Sequence, residues 1–183
     1  MLPLRTRAPH FQLPDTNGKL VSDRDFAGRA GLLVLFICNH CPYVKHVRGA
    51  LAAIGRDYQS QGIGIVAINA NDAVNFPQDG MDRIKEEARD AGYIFPYLFD
   101  ESQAVAKAYR AACTPDVFLF DRNFELVYRG QVDESRPKSG VAATGRDLRA
   151  ALDALLAGKP VPEPQVPSIG CSIKWKLGNE PSF

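Results

Sequence analysis

Two cysteines stand three positions apart in the sequence Cys38-Asn39-His40-Cys41, within a chain of 183 residues. Thiols at this CxxC spacing can cycle between dithiol and disulfide, because a thiolate attacks a disulfide sulfur. His40 could stabilise a thiolate on Cys41 if its imidazole were protonated. Adjacent side chains usually point apart, which favours a histidine that faces solvent or bonds to the backbone. The motif therefore predicts redox chemistry at cysteine, with His40 as an accessory candidate.

A metal site is the alternative use of the same residues. Thiolate and imidazole ligands suit zinc, and Cys38, His40, Cys41 and the distant Cys171 could supply them. Zinc sites of this kind usually contain a second closely spaced pair of ligands, which the sequence does not offer. We therefore predict neither a metal nor another cofactor.

The flanking segments place the motif between a strand and a helix. Leu32–Ile37 is a continuous apolar run, typical of a central parallel strand that is buried on both faces. From Val44 onward apolar residues recur at steps of three and four, which indicates an amphipathic helix. Pro42 fits the first position of that helix, where no N–H is needed. Cys41 is then the N-cap, where the helix dipole and the free N–H groups favour a thiolate.

The rest of the chain predicts an α/β fold with a mixed central sheet flanked by helices. Strand, helix and strand around Pro42 form a βαβ unit with parallel strands. We expect one domain over residues 1–183, with a core at about 9–156. The other predicted elements are an N-terminal β-hairpin at 10–21, a helical turn at 22–26, a strand at 62–70, helices at 81–91, 102–111 (capped by Ser102) and 145–157, an aromatic segment at 93–99, a hairpin at 116–129 and an extended proline-rich C-terminal tail at 161–183.

Charge and hydropathy exclude some classes of partner. Lysine and arginine number 22 against 21 acidic residues, and no basic block is present that could bind nucleic acid. The N-terminus lacks the apolar core of a signal peptide, and every apolar run is well short of the ~18 residues of a membrane span. We therefore predict a cytoplasmic protein that binds neither nucleic acid nor a membrane.

The chain resembles the thioredoxin-like superfamily, and within it the peroxiredoxin-like redoxins of the alkyl hydroperoxide reductase and thiol-specific antioxidant type. The similar segments are the N-terminal hairpin, CNHCPYVKHV, CTPDVFLFD and RGQVDESRP, within Pro9 to about Leu156. The resemblance implies a thioredoxin-like fold and a cis peptide bond before Pro115, facing the active cysteine. It also implies that Thr114 offers an extended edge to a substrate peptide, with Pro42 and Pro115 completing the binding position.

The cysteines depart from the usual thioredoxin-like pattern, in which the second cysteine lies one turn inside the helix. Val44 occupies that inner position here, so the motif is displaced by three residues. Cys38 must then reach forward to Cys41 to resolve a mixed disulfide. Cys113 and Cys171 are each open to two interpretations, an accessory or resolving cysteine and a thiol that only packs.

Three functions are compatible with the resemblance. The first is a thiol–disulfide oxidoreductase in which Cys41 attacks a protein or small-molecule disulfide and Cys38 resolves the product, with a thioredoxin-type donor as reducing partner. The second is an antioxidant thiol peroxidase, which would act on peroxides through a sulfenic acid. Leu35, Phe36 and Ile37 stand where peroxiredoxins carry a proline and a threonine or serine, which disfavours it. The third is a binding module without catalysis.

Overall fold

The centre of the protein is a five-stranded mixed sheet, seen in a computed structural model that describes residues 2–182. Its strand order is β5-β4-β3-β7-β8, with β3, β4 and β5 parallel and β7 antiparallel to both β3 and β8. The elements are β1 (Gln12–Pro14), β2 (Leu20–Ser22), β3 (Gly31–Phe36), α1 (Pro42–Gln59), β4 (Ile63–Asn69), α2 (Met81–Ala91), β5 (Tyr97–Phe99), α3 (Ala104–Ala108), β6 (Cys113–Thr114), β7 (Asp116–Asp121), β8 (Leu126–Gly130), α4 (Arg146–Leu156) and β9 (Cys171–Ser172).

Strand β3 is central because its side chains are apolar on both faces. Leu33 and Leu35 pack with α1, α2 and α4 on one face of the sheet. Val34 and Phe36 alternate with them and pack on the other face with the β1–β2 hairpin and α3. The period of two along a strand thus produces two apolar clusters, one on each side of the sheet.

Most of the predicted elements are confirmed, and so is the fold class. The hairpin, the turn at Asp23–Phe26, the βαβ unit around Pro42 and the helices at 81–91 and 145–157 lie where the sequence placed them. Of the aromatic segment, only Tyr97–Phe99 forms a strand. A single domain over residues 1–183 stays a prediction.

The helix predicted at 102–111 needs correction. It covers only Ala104–Ala108 and is preceded by Gln103, which has a left-handed backbone (φ 63°). Ser102 does contribute a capping contact, since its Oγ accepts a hydrogen bond from the Ala104 N–H at 3.2 Å. Gln103 is fully buried, and its side-chain amide donates hydrogen bonds to Ala70 O and Lys174 O. The contacts that Gln103 makes with the distant tail decide where the helix begins, and a local capping rule does not include them.

The tail is mostly extended, as predicted, but part of it is built into the fold. Strand β9 pairs antiparallel with β6, and Ile173 is buried in the apolar cluster beside α3. Among the helices in the part of the chain that the structure describes, none is long and apolar enough to cross a membrane.

Candidate active site

Cys41 is the N-cap of α1, as the sequence predicted, and Pro42 is the exposed first residue of that 18-residue helix. The apolar strand β3 ends at Phe36, and a short loop leads from it to Cys41. The Cys41 side chain is completely buried. Its Sγ lies 3.1 Å from Thr114 O, which accepts the S–H of the protonated thiol.

Cys38 lies next to Cys41 and contacts the same residue of β6. Its Sγ is 3.2 Å from Thr114 Oγ1, and the Cys38 thiol is also hydrogen-bonded to Cys41. The peptide bond between Thr114 and Pro115 is cis, which confirms the expectation from the resemblance. Thr114 therefore contacts both sulfurs of the CxxC motif, one through its carbonyl and one through its hydroxyl.

Cys171 approaches the same site from the tail. Strand β9 pairs Cys171 with Thr114 and Ser172 with Cys113. The backbones are so close that a Cβ on Gly170 would lie 2.0 Å from Thr114 O, so only glycine fits there. The structure thus differs from the expectation of a free edge at Thr114, because the chain's own tail fills that edge.

The pKa values of the sulfurs differ because hydrogen bonds favour one thiolate. Hydrogen bonding from Cys38 lowers the pKa of Cys41 to about 4, opposed by burial and assisted by the Cys171 thiol and by the N–H groups of Val44 and Cys171. The pKa of Cys38 is raised well above its usual range, first by its hydrogen bond to Cys41 and then by burial. Burial and the neighbouring Cys41 raise the pKa of Cys171 to about 11. These shifts favour ionisation at Cys41 over Cys38 and Cys171.

Cys113 also lies in β6, but its thiol bonds to the backbone of a nearby residue. Its half-buried Sγ donates to Pro115 O at 3.6 Å, and burial raises its pKa to about 12. This position favours the interpretation of Cys113 as a packing residue, so we leave it outside the proposed chemistry.

Asp79, which the sequence analysis missed, is a fully buried carboxylate behind Cys38. Oδ1 accepts hydrogen bonds from the Asn39 N–H at 2.7 Å and from Asn69 Nδ2 at 3.1 Å. Oδ2 accepts from Asn71 Nδ2 at 2.9 Å and lies 2.6 Å from His40 Nδ1. Four polar partners compensate the burial of this charge.

The expected solvent-facing His40 is instead a partner of Asp79. Its ring stacks on Phe76 with centroids 5.6 Å apart, and its side chain is only 24% exposed. A signal for this cluster was present in the sequence. Asn69 ends the buried strand β4 and Asn71 follows it, and the carboxyl ends of parallel strands meet at one edge of a sheet.

Cys38, His40 and Asp79 could also be considered as metal ligands, since their ligand atoms lie within 4.8 Å of one another. Each Asp79 oxygen already has two hydrogen-bonding partners. Binding a cation would therefore require this network to open, so the geometry favours a polar network over a metal centre. The absence of a metal and of other cofactors stays a prediction.

Comparison with known proteins shows the family. The model of the AhpC/TSA family matches residues 4–129, which is more than half of the chain. The chain belongs to the AhpC/TSA family. It is also similar to the thiol-disulfide oxidoreductases ResA of Halalkalibacterium halodurans (27% identity over 121 residues, 66% of this chain and 64% of the relative) and Bacillus subtilis (29% over 120 residues, 66% and 63%). It thus spans slightly less than two thirds of the length of these relatives.

Solved structures support the fold. A hypothetical protein from Sinorhizobium meliloti 1021 is 54% identical, with a TM-score of 0.96 and coverage of 97% of both chains. A putative thiol:disulfide interchange protein DsbE from Chlorobium tepidum is 22% identical, with a TM-score of 0.65 and coverage of 85% of this chain and 99% of the other. The second likeness shows only the fold, which is thioredoxin-like.

Proposed function

We propose that the protein is a thiol–disulfide oxidoreductase in which Cys41 is the nucleophile and Cys38 resolves the mixed disulfide. One observation carries this proposal: Cys41 is the N-cap of α1, where the helix dipole favours a thiolate, and the neighbouring Cys38 thiol lowers its pKa further. Membership of the AhpC/TSA family and the similarity to ResA support a reaction at thiols.

In the first step, the Cys41 thiolate attacks one sulfur of a protein or small-molecule disulfide. A bond forms between Cys41 and that sulfur, the substrate S–S bond breaks, and the other substrate sulfur leaves as a thiolate. Cys41 then carries no charge. The largest cause of the raised pKa of Cys38 is its hydrogen bond to Cys41. Because the first step removes the charge from Cys41, it lowers the pKa of Cys38, and the Cys38 thiolate forms more readily.

In the second step, the Cys38 thiolate attacks Cys41 Sγ and displaces the bound substrate sulfur as a thiolate. The Cys38 proton must leave a buried position. The His40–Asp79 pair lies within 4.8 Å of Cys38 Sγ and has a half-buried imidazole that reaches toward solvent. We assign this pair the role of receiving that proton, as positioning and proton-transfer residues for Cys38.

The oxidised protein needs a dithiol donor, and we propose a thioredoxin-type partner. We also propose a cytoplasmic location, because a reducing compartment would regenerate the dithiol. The alternatives are a thiol peroxidase and a binding module without catalysis, and activity assays distinguish the three functions.

The test compares wild type with Cys41→Ser, Cys38→Ser and the matched control Cys113→Ser. Reduction of insulin disulfides is measured beside consumption of hydrogen peroxide, both with dithiothreitol as donor. We expect Cys41→Ser to lose disulfide reduction by at least about a thousandfold, because no covalent route is left. Cys38→Ser should accumulate the mixed disulfide, and Cys113→Ser should match wild type.

Peroxide turnover without insulin reduction would replace this proposal with the peroxidase. Inactivity in both assays, together with an unreactive Cys41, would support a binding module. A Cys38→Ser variant that still turns over at the wild-type rate would refute the role of Cys38 while leaving that of Cys41 intact.

A further inference from the structure

The two sulfurs of the CxxC motif are sealed from solvent. Cys41 is 0% exposed and Cys38 is 1% exposed. A donor thiolate must approach a disulfide sulfur directly to reduce it, so a bond between these two residues is less accessible to an external donor than a bond that includes Cys171. Cys171 is the partly exposed sulfur that contacts Cys41.

Cys41 is the common partner of the other two sulfurs. The Cys38 thiol and the Cys171 thiol each provide a hydrogen bond that stabilises the Cys41 thiolate. Cys38 approaches from the turn that follows β3, whereas Cys171 approaches from β9. This places Cys41 between a fully buried cysteine and a partly exposed one.

The tail holds Cys171 in place on both sides. Before it, Ser168 Oγ donates to Gly130 O at 2.6 Å, and Gly170 lies against the Thr114 backbone. After it, the Ile173 N–H donates to Ala112 O at 3.2 Å, and the Lys174 N–H donates to Asn71 Oδ1 at 2.8 Å. Cys171 is therefore a fixed neighbour of Cys41 rather than a thiol on a loose tail.

We propose that Cys171 is a third redox residue, which carries the disulfide from the buried Cys38–Cys41 pair to the surface, where the donor attacks. This inference rests on the proposed function of Cys41. It also implies that the edge at Thr114 serves the chain's own tail and not a substrate strand.

The transfer and the reduction together need three exchanges. Cys171 loses its proton and attacks Cys41 Sγ, so that a Cys41–Cys171 bond forms and the Cys38–Cys41 bond breaks. Cys38 leaves as a thiolate and takes up a proton. A thiolate of the donor dithiol then attacks Cys171 Sγ and expels the Cys41 thiolate. The second donor thiolate attacks the donor sulfur, forms the donor disulfide and releases Cys171, which is protonated from water.

The low pKa of Cys41 determines which of the two sulfurs the donor attacks. A thiolate of lower pKa is the better leaving group, so attack on Cys171 Sγ with departure of Cys41 is favoured over attack on Cys41. The exposure of Cys171 favours the same sulfur.

The experiment uses the full chain and compares wild type with Cys171→Ser and with the matched control Cys113→Ser, from the paired strand. Each protein is oxidised with one equivalent of diamide, and its disulfides are mapped by mass spectrometry. Reduction by dithiothreitol is then followed by quenching with an alkylating agent. Denaturant unfolding of each reduced variant checks that the fold is intact.

We expect wild type and Cys113→Ser to contain a Cys41–Cys171 bond in addition to Cys38–Cys41. Cys171→Ser should contain only Cys38–Cys41 and should be reduced at least tenfold more slowly. Reduction of Cys171→Ser at the wild-type rate would overturn the relay while leaving the proposed function standing. Failure of Cys41 to form a disulfide in any variant would instead refute both.

Discussion

The two flanks of Cys41 offer the same hydrogen bond from very different surroundings. On one side, Cys38 is sealed and backed by the buried carboxylate of Asp79. On the other side, Cys171 is partly exposed and is held mainly by backbone contacts of the tail. Cys41 therefore has two kinds of neighbour. The buried flank is suited to proton transfer, and the open flank is suited to exchange with other molecules.

The flanks are joined by one side chain. Asn71 donates from Nδ2 to Asp79 and accepts at Oδ1 from the Lys174 N–H of the tail. An amide can do both because it carries a donor and an acceptor. The buried flank and the tail are therefore parts of one network, and each can be perturbed separately.

The largest effect is expected on the buried flank. In Asp79→Asn, an amide NH2 replaces one carboxylate oxygen and faces donors that it cannot satisfy. The free energy of unfolding should fall by up to about 3 kcal/mol, the cost of unsatisfied buried polar groups. Denaturant unfolding measures this loss, and Asp82→Asn, on the exposed face of α2, is the control. Equal stability of the two variants would mean that the network contributes nothing.

A smaller effect is expected on the open flank. In Gly170→Ala, the new Cβ would collide with Thr114 O, so the tail must shift away from β6. We expect a loss of about 1 kcal/mol, at the low end of the cost of overpacking, because the tail can move. Cys171 should also be alkylated faster.

Gly49→Ala is the control for this change, since its Cβ meets nothing within 4 Å and it lies within α1. If Gly170→Ala left the alkylation rate of Cys171 unchanged, the tail would not depend on this contact.

A further prediction, whose effect accumulates over several pH units, concerns the pH dependence of stability of the reduced protein. Between about pH 4 and pH 9, Cys41 is a thiolate when folded and a thiol when unfolded, so the unfolded state binds more protons. The contribution of Cys41 to the free energy of unfolding therefore rises with pH over this range and is lost as the pH falls through about 4.

Unfolding of reduced wild type and Cys41→Ser at several pH values measures this contribution. The stability difference between them should grow in favour of wild type from pH 4 to pH 8. A constant difference would show that the flanking hydrogen bonds do not hold Cys41 as a thiolate. The absorbance of the thiolate in the ultraviolet gives an independent titration.

Much of the fold and part of the site could be predicted from local sequence signals. A continuous apolar run identified β3, and the helical period with Pro42 identified α1, so Cys41 at its N-cap followed from local rules. The predicted helix at 102–111 shows where such rules fail. It forms only at Ala104–Ala108, and the preceding Gln103 is held by a hydrogen bond to the distant tail.

Local sequence signals thus identify Cys41 as the N-cap of α1, because capping depends on residues that are neighbours in the chain. The surroundings of its sulfur depend on tertiary contacts. Asp79 is buried by amides from separate segments, and Cys171 reaches Cys41 through strand pairing that begins beside Gly170. Such contacts join residues far apart in the chain, and no local periodicity specifies their register.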